Sequence, residues 1–320
     1  MLEDFQVIYK QLENQQQIDL PLKTTSFKQY SEALKESANS QFIQQERNYW
    51  LTVTTQETHS LPIDYSLGKN TVSESETVTI YLSEEQTQAL LKDVPSAYNT
   101  QINDILLTAL TQTISNWTDQ NYLVVDLENN GRVSMLNDLN ISRTVGWFTS
   151  IFPVRLEFNK TTNLGEAIKI IKEQLRKVPN SGIGYGILRY LTPPESTIPN
   201  SKAEICFNYL GQFDQMLSSS IMNLASESSG QARSSKQTRC YLLEINGLII
   251  QGQLKFYWTY SKNFHNRTTI EKLAMDFKEA LNQLINHCCS PEAGGYTPSD
   301  FSLAELDQEQ LNQVLDQIEF

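Results

Sequence analysis

The sequence predicts an α/β fold, and three observations carry the prediction. Val78, Ile80 and Leu82 alternate with polar residues from Glu76 onward, the two-residue period of a half-buried strand. Two helical patterns follow, Ser83 through Leu91 and Asn103 to Trp117. Tyr122 to Leu127 is then a short, nearly continuous apolar run of the kind buried on both faces. Strand, helix, helix, strand is the grammar of layered α/β proteins.

The chain opens in a helical pattern, with Leu2, Phe5, Ile8, Tyr9 and Leu12 forming one apolar stripe. No capping residue precedes it, so this start reads as a cut through an element. A second helix is expected from about Ser26 to Leu51, burying Phe27, Tyr30, Leu34, Phe42 and Trp50. Residues 52–75 are polar, contain Pro62 and Gly68, and read as a loop or interlobe connection. Ser83, with Glu85 and Gln86 behind it, starts the next helix. In the helix over 103–117, Ile105, Leu106, Ala109, Leu110 and Ile114 face inward.

Farther along, Ile151 to Phe158 is expected as a strand and Leu164 to Val178 as a helix. Gly182 to Leu191 begins with glycines and becomes helical. Ile205 to Leu210 and Tyr241 to Ile245 are strand patterns, and Asn246-Gly247 is expected to turn tightly into Leu248–Tyr260. Thr269 to Cys288 is a long amphipathic helix with Ile270, Leu273, Phe277, Leu281, Leu284 and Ile285 on one face. The Ser-rich stretch 215–238 is expected to be a mobile loop, and 290–298 a linker.

Composition narrows the function classes. A hydrophobic content of 39% supplies a core in a chain of 320 residues. The net charge of -12 argues against nucleic-acid or anionic-membrane partners, because like charges repel. No signal peptide is legible and no apolar run is long enough to span a bilayer, so the expected location is cytoplasmic and the Asn-Trp-Thr sequon at Asn116 carries no weight. The four cysteines, Cys206, Cys240, Cys288 and Cys289, are sparse and irregularly spaced, as in a reduced protein. His287-Cys288-Cys289 is a weak metal-binding pattern closing a helix, and no metal or bound cofactor is expected.

Four segments carry a resemblance. They are Leu127-Glu-Asn-Asn-Gly-Arg132, Arg143-Thr-Val-Gly-Trp-Phe-Thr-Ser-Ile-Phe-Pro-Val154, Pro179-Asn-Ser-Gly-Ile-Gly-Tyr-Gly186 and Phe207-Asn-Tyr-Leu-Gly-Gln-Phe-Asp214. In this order they resemble signature segments of the epimerization domains of non-ribosomal peptide synthetases, a branch of the condensation-domain superfamily. The family's HHxxxDG motif, which carries its catalytic histidine, occurs nowhere in the sequence. The resemblance implies a chloramphenicol-acetyltransferase-like C-terminal lobe (76–289), a remnant of the N-terminal lobe with its connection (1–75), and a linker with a docking helix (290–320).

The resemblance also implies a chemistry. A peptidyl carrier protein domain presents an aminoacyl or peptidyl thioester on its phosphopantetheine arm in a tunnel between lobes. The thioester acidifies the α-proton, and inversion needs acid/base groups on both faces of that carbon. The first glutamate of the family's EGHGRE motif maps to Glu128. At the end of a buried strand its pKa is open to upward adjustment; the alternative is a surface carboxylate at a turn. The motif's histidine is Asn130 here, which does not exchange a proton near pH 7, and its last glutamate is Val133. Arg132 is retained, either to orient Glu128 or hold enolate charge, or as part of a salt bridge. Trp147, Phe148, Asn208 and Tyr209 are candidate substrate-channel residues, with packing as the competing role. Gly182, Gly184 and Gly186 allow close backbone approach to a ligand.

From Pro291 onward there is no Lys or Arg and there are seven acidic residues. Leu303, Leu306, Leu311, Val314, Leu315 and Ile318 suggest one helical face. This tail resembles the donor communication helix that docks on a downstream synthetase's condensation domain; folding back on its own domain is the alternative. Three readings stay open: an epimerase part completed by a separate N-terminal lobe, a silent remnant or docking module, and a condensation enzyme.

Overall fold

The computed structural model describes residues 1–66, 68–132, 139–213, 227–304 and 306–318. Residues 215–226 of the expected mobile loop and the motif positions Val133 and Asp214 lie outside the described residues. The architecture is mixed α/β, built on six strands: β1 (Ser75–Tyr81), β2 (Tyr122–Asn129), β3 (Ser150–Glu157), β4 (Ile205–Gln212), β5 (Leu243–Ile250) and β6 (Gln253–Ser261). Their order is β1-β6-β5-β4-β2-β3. β2 and β4 are parallel, as are β4 and β5, and the remaining neighbours are antiparallel. The edge strand β3 tolerates Pro153 because its free side needs no backbone donor.

One face of the sheet carries the core. Along β5 and β6 the buried positions alternate: Leu243, Ile245 and Ile249 face Leu254, Phe256, Trp258 and Tyr260. Helices α5 (Glu84–Lys92), α6 (Val94–Tyr98), α7 (Ile102–Thr118), α8 (Leu164–Arg176) and α10 (Arg267–Cys288) join this layer; α9 (Ile183–Tyr190) packs on β3. Phe277 of α10 meets Phe256 edge-on with centroids 5.0 Å apart. α5 begins with the expected capping box, in which Ser83 and Gln86 satisfy each other's backbone N–H groups.

The hairpin turn lies elsewhere than Asn246-Gly247. β5 runs through both residues and turns at Gln251-Gly252, whose φ angles of 53° and 72° suit a two-residue primed turn closed by Ile250 and Gln253. Gly247 has a packing role instead. It sits directly across from Phe256, and a Cβ there would lie 2.4 Å from the ring.

The single helix expected over 26–51 is three helices: α2 (Phe27–Ser37), α3 (Gln41–Gln45) and α4 (Arg47–Thr55). Ser40 caps α3 by accepting from the Ile43 amide, which restarts the helix and changes its phase. Ile43 therefore points inward and Phe42 is 48% exposed, against expectation. Phe27 is also exposed, whereas Tyr30 and Trp50 are buried as expected. Trp50 packs against Phe152 and Tyr185 and donates to Glu46 at 2.8 Å. By contrast, α1 (Leu2–Glu13) buries none of its residues and is tied down by Arg143, which pairs with Glu3 and Asp4.

The segment after α10 is attached to the domain, not a free linker. Gly295 donates to the Ala97 carbonyl, and Thr297 is fully buried. The buried Lys172 ammonium reaches both Asp300 oxygens, at 2.7 and 2.8 Å, and the Tyr98 carbonyl. Burial pushes the Asp300 carboxyl up, but its bonds from Lys172 and Thr297 outweigh that and hold it below the ordinary carboxylate value. α11 (Gln308–Ile318) begins only after Leu303 and Leu306, so the leucine stripe is not one helical face. Leu303 is fully exposed, Val314 is 41% exposed and Leu311 is buried.

Candidate functional site

β2 and β4 build one side of the site by register. Leu127 pairs with Phe207 and both point into the core, so the next residues, Glu128 and Asn208, share the opposite face. The Asn208 amide donates to Glu128 Oε2 at 2.8 Å, and Cys206 Sγ lies 3.7 Å from Oε1. Burial pushes the Glu128 carboxyl above its ordinary value. The Cys206 hydrogen bond and the charge of Arg233 pull it down, and the charge of Glu244 pushes it up. Two residues back on the same face, the buried Asp126 accepts from Ser201 and Tyr241, with its pKa raised mainly by burial.

The other side is made by the chain after β2 and before β3. Gly131 is required there: a Cβ would lie 1.9 Å from the Phe148 carbonyl oxygen. The Tyr30 hydroxyl donates to the Gly131 carbonyl at 3.2 Å. Arg132 donates to the carbonyls of Ile141 (2.5 Å) and Thr144 (2.7 Å), and its guanidinium lies 4.0 Å from the centroid of the Phe148 ring. It therefore braces a loop, and among the described residues it bonds neither Glu128 nor any other carboxylate. Phe148 is buried against Phe27 and Tyr30. Asn130 accepts from the Arg132 amide at 3.1 Å. Trp147, beside Phe148 in the Arg143–Val154 segment, is 81% exposed, so packing is not its role.

These residues surround one cavity of about 480 Å³, lined by Glu128, Asn130, Arg132, Trp147, Phe148, Asn208 and Tyr209. All seven sequence candidates meet there. Burial pushes the Tyr209 hydroxyl to about 12, so it stays protonated near neutrality. Asn103, Asn129, Thr149 and Leu210 also line the cavity and were not legible as site residues. Cys206 was noted only for its redox state; its contact with Glu128 needs the β2–β4 pairing to be seen. Gly182 and Gly184 make room for the protein itself and not for a ligand. Gly182 has φ +84°, and added Cβ atoms would meet the Phe152 ring at the first and the Glu46 carboxylate at the second.

The three histidines are occupied elsewhere. His59 lies 2.7 Å from the Tyr122 hydroxyl, and His287 Nε2 lies 2.8 Å from that of Tyr98. His265 is buried with Nε2 near the Pro62 carbonyl, and burial holds its pKa below the ordinary value. Among the described residues none of them lines the cavity, and no group of three metal-ligating side chains occurs.

The fold agrees with the comparisons. The condensation-domain profile matches residues 1–306, and the chain belongs to that family. Among its relatives, a subunit of the linear gramicidin synthase of Brevibacillus parabrevis is 44% identical over 98% of this chain and 4% of its own length. Bacitracin synthase 2 of Bacillus licheniformis is 38% identical over the whole chain and 12% of its own length. The chain thus spans a small fraction of these synthetases. The crystal structure of the epimerization domain from the third module of tyrocidine synthetase B superposes with TM-score 0.83 at 38% identity, covering 90% of this chain and 65% of that one. The X-domain from teicoplanin biosynthesis, at 14% identity and TM-score 0.63, shares the fold alone.

Proposed function

We propose that this chain supplies the carboxylate side of a peptide-synthetase epimerization site, with Glu128 exchanging the α-proton of a carrier-bound aminoacyl or peptidyl thioester. The observation that carries the reading is Glu128 itself. It is the one carboxylate lining the cavity among the described residues, it is half-buried, and Asn208 holds it at 2.8 Å. Burial raises its proton affinity, which brings a carboxylate nearer to a working base. The likeness to an epimerization domain favours inversion over condensation. Asn130, Trp147, Phe148 and Tyr209 form the channel walls, and Arg132 acts by shaping the loop. In this reading residues 76–289 are the carboxylate lobe, and a histidine-bearing N-terminal lobe supplies the opposite acid/base group. The phosphopantetheine arm belongs to the carrier domain.

The test is solvent-deuterium incorporation at the substrate α-carbon, using an aminoacyl carrier protein. The chain alone is expected to give no exchange. Adding the histidine-bearing lobe of a relative should give exchange that Glu128→Gln abolishes. Exchange by the chain alone, or exchange that survives Glu128→Gln, overturns the reading; peptide-bond formation in place of exchange favours a condensation enzyme.

A docking role for the acidic tail is favoured by exposed Leu303 and Val314. Because 295–300 is pinned to the domain, docking on a downstream condensation domain falls to 303–318. Leu311 is an anchor to the chain's own fold, so Val314→Asp is the variant expected to weaken partner binding in calorimetry.

A further inference from the structure

We propose that a second cavity beside Glu128 receives the amino-acid side chain of the substrate, and that it selects an uncharged aliphatic or aromatic one. This deepens the reading above and rests on it. The cavity holds about 250 Å³, room for roughly eight waters at ~30 Å³ each. Its apolar walls are Leu107 of α7, Leu127 of β2, Phe152 of β3, Leu175 in the last turn of α8 and Val178 just beyond that helix.

The wall shared with the larger cavity carries the argument. Glu128, Asn129 and Asn103 line both. The reacting α-carbon is bonded at once to the thioester carbonyl and to the side chain. A substrate with its arm in the larger cavity and its side chain in the smaller one must place that carbon at the shared wall. Glu128 is the base at that wall: its carboxylate lies beside Asn208 on the side of the larger cavity, while Leu127, the residue before it, turns to the smaller one. The division of space therefore delivers the α-proton to the carboxylate without any further contact.

Charge explains the selection. The smaller cavity is lined by Asp104 and Arg176, which bind each other through two parallel bonds of 2.9 and 2.6 Å. Asp104 Oδ2 also accepts from the Gln101 amide at 2.7 Å. Each is thus already matched and offers nothing to a charged side chain. The remaining charged group in the lining is Glu128. A lysyl ammonium pairing with it would hold the base as a stabilised anion, and an acidic side chain would be repelled by it. Either would also lose hydration among apolar walls.

The test titrates the full chain with non-hydrolysable amide analogues of glycyl-, leucyl-, lysyl- and glutamyl-pantetheine, read by calorimetry. The leucyl probe is expected to bind tenfold or more tighter than the glycyl probe, as filling an apolar pocket commonly gives about 10- to 200-fold per group. The lysyl and glutamyl probes should bind no tighter than the glycyl probe. Val178→Trp fills the cavity from a half-exposed position just after α8, and Leu175→Phe does so from the last turn of that helix. Each should reduce leucyl affinity to the glycyl level while leaving glycyl affinity and the circular dichroism spectrum unchanged. Equal leucyl and glycyl affinity, a charged probe binding tightest, or a leucyl advantage that survives both variants overturns the pocket while leaving the Glu128 site standing. Binding of no probe overturns both.

Discussion

The two sides of the Glu128 cavity are built by different means. The strand side is set by ladder register: once Leu127 pairs with Phe207, Asn208 has to lie beside Glu128. The loop side is set by packing and by one cation. Arg132 gathers the carbonyls of Ile141 and Thr144, and Phe148 fills the space between that guanidinium and the rings of Phe27 and Tyr30. Glu128 therefore sits on the strand side, while the opposite wall of the cavity depends on α2, more than a hundred residues earlier. A site on strands holds its geometry more tightly than one on loops, so the strand side is expected to be the more rigid of the two.

The largest expected effect tests the packed side. Phe148→Ala should cost about 3 kcal/mol in denaturant unfolding, in the range for truncating a buried Phe. It should also speed hydrogen exchange in both α2 and residues 139–149. A cost below about 1 kcal/mol, within the ordinary range for single substitutions, would mean that the loop is held by Arg132 alone.

Asn208→Ala tests the strand side and should cost about 1–2 kcal/mol, because a carboxylate loses its charge-assisted donor. It should push the Glu128 carboxyl still higher, since the lost bond favours the anion. Carbon-detected NMR titration of Glu128 reads this directly; an unchanged or lower pKa would show that Asn208 is a bystander.

Glu128→Gln gives a smaller effect with a definite pH sign. Burial raises the folded pKa of Glu128 above its unfolded value, so the folded state binds the proton more tightly. Its contribution to stability is most favourable below the unfolded carboxyl value and declines as pH rises through the folded one. The Gln variant should match the wild type in acid and melt higher near neutrality. A Gln variant that melts lower above pH 7 would contradict burial as the dominant cause. The smallest effect is that of Trp147→Ala. This exposed side chain should change stability by less than about 0.5 kcal/mol, while weakening pantetheine-probe binding if the rim contacts the arm.

What the sequence determined by itself was local. The strand alternation at Val78 and Ile80, the Ser83 capping box and the inward-facing Ile105, Leu106, Ala109, Leu110 and Ile114 of α7 depend on neighbours a few residues away, and each appears in the structure. Three of the four motif segments also pointed to residues that surround one cavity, and the fourth, Pro179–Gly186, does not reach it. Tertiary structure decided what those residues touch. Asn246-Gly247 has the composition of a turn, yet Phe256 across the sheet needs the space and the turn moves to Gln251-Gly252. Arg132 stands four residues after Glu128, yet loop carbonyls satisfy its guanidinium first. Leu311 shares the tail's leucine pattern with Leu303, but one is buried and the other bare. The pairing of Glu128 with Asn208 spans 80 positions. Such choices depend on which distant group fills a space or satisfies a charge, and no pattern of near neighbours carries that information.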